Sequence, residues 1–279
     1  MQFGLLAPGA TRSGAEAVDL ARQAEALGFE SLWMPEHVIV PADYDSPYPY
    51  SDDGKIPGTV DSPIADPLIW LAMAAAVTER IRLGTGILLI PERNPVVTAK
   101  AVATLDHLSC GRVDLGIGVG WMEEEFDALG VPWARRGART DDYVAAMRAL
   151  WADRPASHDG EFVSFDRVHC EPKPTNGSVP IIIGGSSDVA ARRAARMGDG
   201  FYPYGCRGDQ LAYLVVLMRK EAEEAGRDPE SIEVITDIHR NGLDRLELCA
   251  GLGINRVIVR PMRPSDMEAF GQVIAQHAD

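Results

Sequence analysis

The stretch "RVDLGIGVGW" (112–121) sets three glycines two apart, Gly116, Gly118 and Gly120, at the end of an apolar run. The dinucleotide-binding fingerprint needs G-x-G-x-x-G in a turn that opens a helix directly after a first strand. Here the spacing is G-x-G-x-G, Trp121 stands where the third glycine is required, and the run is the fourth strand-like segment of the chain. It fails as a phosphate loop of that kind. Two readings stay open: small residues that let strands or a barrel interior pack closely, or bare backbone at a strand's end where a flat ring can approach.

Outward from this run, short stretches rich in Val, Ile and Leu alternate with helical patterns. The strand candidates are "FGLLAP" (3–8), "SLWMPEH" (31–37), "IRLGTGILLI" (81–90), "RVDLGIGV" (112–119), "PIIIGG" (180–185), "GFYPYG" (200–205), "IEVITDI" (232–238) and "RVIVRP" (256–261). Helical segments fall near 14–27, 66–79, 94–109, 138–152, 188–197, 208–226, 241–253 and 265–277. Asp66-Pro67 and Asn94-Pro95 each set a capping side chain before a proline suited to a first helical turn. Continuous rather than alternating apolar strands, each followed by a helix, read as buried parallel strands.

Eight such units in 279 residues predict an α/β fold, a single (β/α)8 TIM barrel of roughly the usual 250-residue size. One domain is expected to span 1–279, because no linker or composition break divides it. Two insertions take up the surplus. A long one after strand 2 (38–65), rich in Pro, Asp, Ser and Tyr, lies at the active face of such a barrel and is a candidate lid. A small β-hairpin before strand 5, within 153–179, should turn at Asp159-Gly160.

The formal net charge of −14 argues against a nucleic-acid partner. Four cysteines without a CxxC pair suggest neither a zinc site nor a disulfide framework, and point to free thiols in the cytoplasm. The N-terminus lacks the basic start of a signal peptide, and no run approaches the ~18 apolar residues of a membrane helix. A soluble protein with no membrane association is expected. His107, His158, His169, His239 and His277 form no cluster with metal-ligand spacing, so no metal is expected.

The stronger phosphate candidate is "IIIGGSSDVAARRAARMGDG" (181–200). Strand 5 ends in Gly184 and Gly185; Ser186 and Ser187 then open a helix whose first turn offers unpaired N–H groups, a positive dipole end and two hydroxyls. An ordinary N-cap is the competing reading. Arg207, just after strand 6, can complete the site.

The segment "TAKAVATLDHLSCGRVDLGIGVGWMEEEFDALG" (98–130), with "WMPEH" (33–37), "LGTGILLIPERNPVVTAKAVATLDHLS" (83–109), "RRGARTDDYVAAMRALW" (135–151) and "PIIIGGSSDVAARRAARMGDGF" (180–201), resembles the bacterial luciferase-like flavin-barrel superfamily. The "YPYSDDGKIP" insertion resembles its probable F420-dependent oxidoreductase branch. The resemblance implies a deazaflavin or flavin across the barrel mouth, coenzyme F420 with FMN as the alternative. It also implies a non-proline cis peptide in strand 3 near Thr85, Gly86 and Ile87. The cofactor ring would approach Glu36 and His37, Gly86 and Ile87, and Val119, Gly120 and Trp121; Gly184, Gly185, Ser186 and Ser187 would hold the phosphate end. Asn94 and Glu124 match positions close to the cofactor. Between strands 7 and 8, residues 239–255 leave only a short helix, unlike many relatives, and a homodimer is expected by analogy.

In a hydride-transfer enzyme the protein positions the ring and manages protons. His37 is the candidate proton donor or acceptor; Glu36, catalytic by proximity, would face the other way if the strand persists. Trp121 would shield the ring or line a pocket for a small organic substrate. Glu123, Glu124 and Glu125 favour the start of the next helix, and Tyr44, Tyr48 and Tyr50 could close over substrate. The competing functions are an FMN-dependent monooxygenase and a non-catalytic flavin-binding barrel.

Overall fold

A computed structural model describes residues 1–7, 13–238, 245–260 and 264–276. In chain order the elements begin β1 (Gln2–Leu6), α1 (Gly14–Ala26), β2 (Ser31–Met34), α2 (Pro67–Ala75), β3 (Arg82–Thr85), β4 (Leu88–Leu89), α3 (Pro95–Leu108), β5 (Val113–Gly118), α4 (Glu123–Leu129) and α5 (Arg136–Ala152). Then come the hairpin β6 (Ala156–Asp159) and β7 (Ser164–Val168), β8 (Ile181–Gly184), α6 (Asp188–Met197), β9 (Gly200–Tyr202) and α7 (Gly208–Glu224). The chain closes with β10 (Glu233–Ile238), α8 (Leu246–Gly251), β11 (Arg256–Val259) and α9 (Pro264–Gln276).

Eight strands close a parallel ring in the order β1, β2, β3, β5, β8, β9, β10, β11, with β11 back on β1. This is the expected TIM barrel. The hairpin β6–β7 stands apart from it and turns after Asp159, where the Gly160 amide donates to the Val163 carbonyl. Asp66 and Asn94 cap α2 and α3 as expected, each accepting two backbone N–H groups ahead of a proline.

Several boundaries differ from the sequence reading, for local reasons. The second strand stops at Met34 because Pro35 has no N–H to continue a ladder, so Glu36 and His37 belong to a turn rather than to alternate faces of a strand. Pro203 shortens β9 in the same way. The 81–90 run splits at Gly86–Ile87, joined by a non-proline cis peptide, and resumes as β4 beside β5. The helical pattern at 241–253 is the six-residue α8 among the described residues; His239 and His277 lie outside them.

Trp33 occupies the barrel axis, fully buried, its Nε1 donating to Ser31 Oγ at 2.8 Å. The surrounding strands make room for it with glycines. A Cβ on Gly84 would strike the indole, and one on Gly4 would lie 2.8 Å from Nε1. The glycines of the decisive stretch serve the same packing. A Cβ on Gly116 would collide with the Thr85 carbonyl, and one on Gly118 with the Ile87 side chain. Gly120 has φ +81°, the left-handed region that disfavours side chains, and sits against Phe126.

The N-terminal end of the barrel is sealed by ions. Asp114 accepts from Arg82 Nε at 2.8 Å and from Arg256 Nη1 at 2.7 Å, while Arg256 Nε pairs with Glu233 at 3.1 Å and Glu30 at 3.4 Å. The Asp114 carboxylate keeps Arg82 charged well beyond its ordinary range.

Candidate active site

The opposite, C-terminal rim gathers the ends of β2, β4, β5, β8, β9, β10 and β11 beneath the 38–65 insertion. His37 stands on this rim with Nδ1 2.8 Å from Glu125 Oε2. Glu125 is fully buried on α4, and its Oε1 accepts the backbone amides of Val38 at 2.6 Å and Ile39 at 3.2 Å. One carboxylate thus fixes the histidine ring and the root of the insertion together. In the tautomer that carries its proton on Nδ1, that nitrogen donates to Glu125 and Nε2 is left as an acceptor.

Glu36 is buried, 6% exposed, and both oxygens are engaged: one accepts the Leu89 amide, the other the Arg93 guanidinium. Burial pushes its carboxyl up, and the Arg93 charge opposes that shift. Arg93 reaches on to Asp66 at 2.7 Å, tying the end of β2 to α2. Glu36 holds the strand 3 break in place.

The run Glu123, Glu124, Glu125 lies in the first turn of α4, as its charge suits, but two of the three carboxylates are spent on the insertion. Glu124 Oε1 accepts the amides of Asp45 at 2.7 Å and Ser46 at 3.1 Å, and the Glu123 amide donates to Ser46 Oγ. Partial desolvation opposes these hydrogen bonds, which still hold the Glu124 carboxyl at about 2. Asn94, exposed, uses its side-chain oxygen to cap α3.

The insertion roofs the mouth with rings. Trp121 meets His37 edge-on with centroids 5.7 Å apart, and Tyr44 and Tyr48 meet Trp121 at 5.9 and 5.2 Å. Tyr50 continues from Tyr48 to Tyr204 at 4.9 Å, Tyr204 meets Tyr202 edge-on at 5.8 Å, and Tyr202 lies 6.2 Å from Trp33. Aromatic contacts therefore run unbroken from the barrel axis to His37.

Under this roof lies a cavity of about 340 Å³ bordered by Tyr48, Tyr50, Ser186, Tyr204, Arg207, Asp237 and Arg260. Ser186 lies beside Tyr50 and Cys206. Ser187 caps α6, its Oγ accepting the Ala190 amide at 3.3 Å, which leaves the hydroxyl proton available. Asp188, in the same first turn, is drawn aside by the Tyr213 hydroxyl at 3.0 Å. Gly185 has φ +130°. A Cβ on Gly184 would come within 2.8 Å of Ile87, so the broken third strand and the glycine–serine turn approach each other across the mouth. A second cavity, about 290 Å³, lies on the outer wall near Val96, Phe165 and Cys170 and includes none of these residues.

Sequence reasoning missed Glu92, Tyr202, Tyr204, Asp237 and Arg260. Asp237, 7% exposed, accepts the Gly205 amide at 2.7 Å; the Tyr202 hydroxyl is buried without a hydrogen-bond partner among the described residues. The available signal was a polar residue at or just past the end of an otherwise apolar strand, as in "VITDI" and "IVR".

A parallel eight-stranded barrel with a carboxylate-held histidine at its C-terminal rim, under a loop roof, is the architecture of a TIM-barrel enzyme. The chain belongs to the luciferase-like monooxygenase family, which its residues 1–240 match. It is 36% identical over 268 residues to an uncharacterized protein of Mycobacterium tuberculosis (strain ATCC 25618 / H37Rv), covering 95% of this chain and 94% of the relative. It is 31% identical over 244 residues to the F420-dependent glucose-6-phosphate dehydrogenase of Nakamurella multipartita, covering 85% of this chain and 67% of that protein. Its fold matches the coenzyme F420 dependent tetrahydromethanopterin reductase of Methanopyrus kandleri with a TM-score of 0.80 and 18% identity, covering 99% of both chains. Membership makes it an oxidoreductase of a flavin- or deazaflavin-using family that acts on small molecules. No helix among the described residues is long and apolar enough to cross a membrane.

Proposed function

We propose that the protein, a single domain over 1–279, uses coenzyme F420 for hydride transfer to or from a small organic substrate. The observation that carries the reading is the His37–Glu125 pair, which presents one imidazole nitrogen at the rim of a roofed barrel mouth. The F420-dependent dehydrogenase similar over 85% of this chain supports the choice of cofactor.

The residues fit such a group. The Gly86–Ile87 break lies at the mouth with the Ile87 side chain seated on Gly118 and Gly184, and the buried Tyr202 hydroxyl, without a hydrogen-bond partner among the described residues, is left to donate. Thr85, Gly86, Ile87, Val119, Gly120 and Trp121 would border the ring. Gly184, Gly185, Ser186 and Ser187, with Arg207, would hold its phosphate end. When bound, the deazaflavin accepts or donates hydride at one ring carbon.

The protein's own part is proton management. His37 Nε2 takes the proton of a substrate hydroxyl as hydride leaves the adjoining carbon, or returns it to a carbonyl oxygen in the reverse direction. Glu125 fixes the tautomer and stabilises the imidazolium. Glu36, Asn94 and Glu124 act at one remove, through Leu89 and Arg93, α3 and the insertion. The tyrosine roof excludes water from the transfer.

Ile69 on α2 and Val97 and Leu108 on the neighbouring α3 are exposed large apolar side chains, which supports a homodimer. The four thiols are free, in keeping with the cytoplasm. Equilibrium binding of F420 and of FMN, followed by turnover with the reduced cofactor, tests the proposal. F420 binding with oxygen-independent turnover is the expected result. Micromolar FMN binding without F420 binding would instead favour the monooxygenase reading that the family description carries.

A further inference from the structure

Glu92 closes the 3-10 turn Ile90–Glu92 that follows β4, and it is 8% exposed. Neither of its carboxyl oxygens has a hydrogen-bond partner among the described residues. Its neighbours are themselves acidic. Glu36 comes from the turn after β2 and Glu125 from α4; Arg93 follows in the chain and draws in Asp66 from the start of α2. The guanidinium of Arg93 is committed to Glu36 and Asp66, and Glu125 is committed to His37 and two amides. α5, packed against the same turn, sends Arg136 to the Gly120 carbonyl at 3.3 Å and Arg139 to the Pro132 carbonyl at 2.6 Å. Four carboxyls therefore share one guanidinium and one imidazole, and Glu92 receives neither.

A buried carboxyl without donors is far cheaper to keep neutral than ionised. Burial first, and then the charges of Glu125 and Glu36, push the Glu92 carboxyl up to about 9. Glu92 also lies close behind the mouth: a Cβ on Gly120, just past β5, would sit 3.1 Å from its Oε1, beside the Phe126 ring.

Resting on the reading of His37 as the proton-transfer residue, we propose that Glu92 is a positioning residue that carries a proton, leaving Glu125 as the anion that holds His37. An ionised Glu92 would add a second negative charge there and favour imidazolium over the imidazole that must accept a proton. The neutral acid keeps His37 able to cycle between both forms.

The test uses the full chain without cofactor. Infrared spectra should show a protonated-carboxyl stretch at neutral pH that disappears with a midpoint near 9 and is absent in Glu92→Gln. In 15N-histidine NMR, assigned with His37→Asn, the His37 nitrogens should show an inflection at that same midpoint, lost in Glu92→Gln. A purely structural Glu92 would leave His37 silent there. No protonated band in the native protein, or a band that titrates without a His37 response, overturns the proposal; the native titration alone can do so if the variant misfolds. Because neither readout involves cofactor, failure of F420 binding would refute the proposed activity and leave this result standing.

Discussion

The two ends of the barrel bury the same kinds of side chain and treat them oppositely. At the N-terminal end, Arg82 and Arg256 converge on Asp114, with Glu30 and Glu233 completing the ring, and every charge meets an opposite one. At the C-terminal rim, Glu36, Asp66, Glu92 and Glu125 outnumber Arg93 and His37, and the Glu92 carboxyl and the Tyr202 hydroxyl have no hydrogen-bond partner among the described residues. One end is arranged to close the fold. The other leaves a whole carboxyl and a hydroxyl without hydrogen bonds, where the base leaves only single atoms of ion-paired groups, Glu30 Oε2 and Arg256 Nε, and local cost of that kind is typical of functional sites.

The largest effect that would break this contrast is at the closed end. Asp114→Ala leaves two guanidiniums facing each other, one of them 8% exposed. Removing one partner of a buried ion network typically costs about 3–5 kcal/mol. Denaturant unfolding should show a loss of that order; a loss below about 1 kcal/mol would mean the base is no better balanced than the rim. His37→Asn should give the reverse pattern. Turnover should fall by roughly 10²–10⁴-fold, while the unfolding midpoint moves little, because the ring makes one side-chain hydrogen bond and is partly exposed. Full turnover with normal cofactor binding would remove His37 from proton transfer.

The sequence carried the scaffold because its signals are local. Eight apolar runs, Asn94 before Pro95, and Asp159-Gly160 each act within a few residues, and the barrel, the α3 cap and the hairpin follow from them. The rim was harder because its meaning is non-local. Glu125 is 88 positions from His37, so "EEE" read as a helix start although two of its members hold a loop from another strand. The glycines of "GIGVG" show the same limit. For Gly116 and Gly118 the reason for lacking side chains lies on Thr85, Ile87 and Trp33, residues that only closure of the barrel brings to them. Nothing in "IPERNP" marks Glu92; its isolation shows only when burial and partners are known.

A smaller effect sharpens the contrast at the glycine–serine turn. Replacing Ser186 and Ser187 together by Ala should weaken cofactor binding about tenfold or more. The loss of the α6 cap should cost only about 1 kcal/mol of stability. Affinity equal to the native protein's would show that the turn is an ordinary cap, as closed in purpose as the base.

The smallest effect concerns the roof. Glu124 holds Asp45 and Ser46 through an ionised carboxyl whose affinity for protons is depressed to about 2. A carboxyl lowered in the folded state stabilises above its unfolded value of 4.5, and that contribution is lost as pH falls through its folded value. Protection of the 38–65 amides in hydrogen exchange should therefore persist into mild acid and fade between about pH 4 and 2. In Glu124→Gln, where neutral acceptors replace charged ones, exchange in that segment at neutral pH should rise about threefold to tenfold. The acid-dependent step should vanish, with global unfolding unchanged. If exchange across 38–65 is the same in both proteins, the insertion is held by its tyrosines on Trp121 and Tyr204 rather than by the α4 carboxylates. The rim's polarity would then serve chemistry alone.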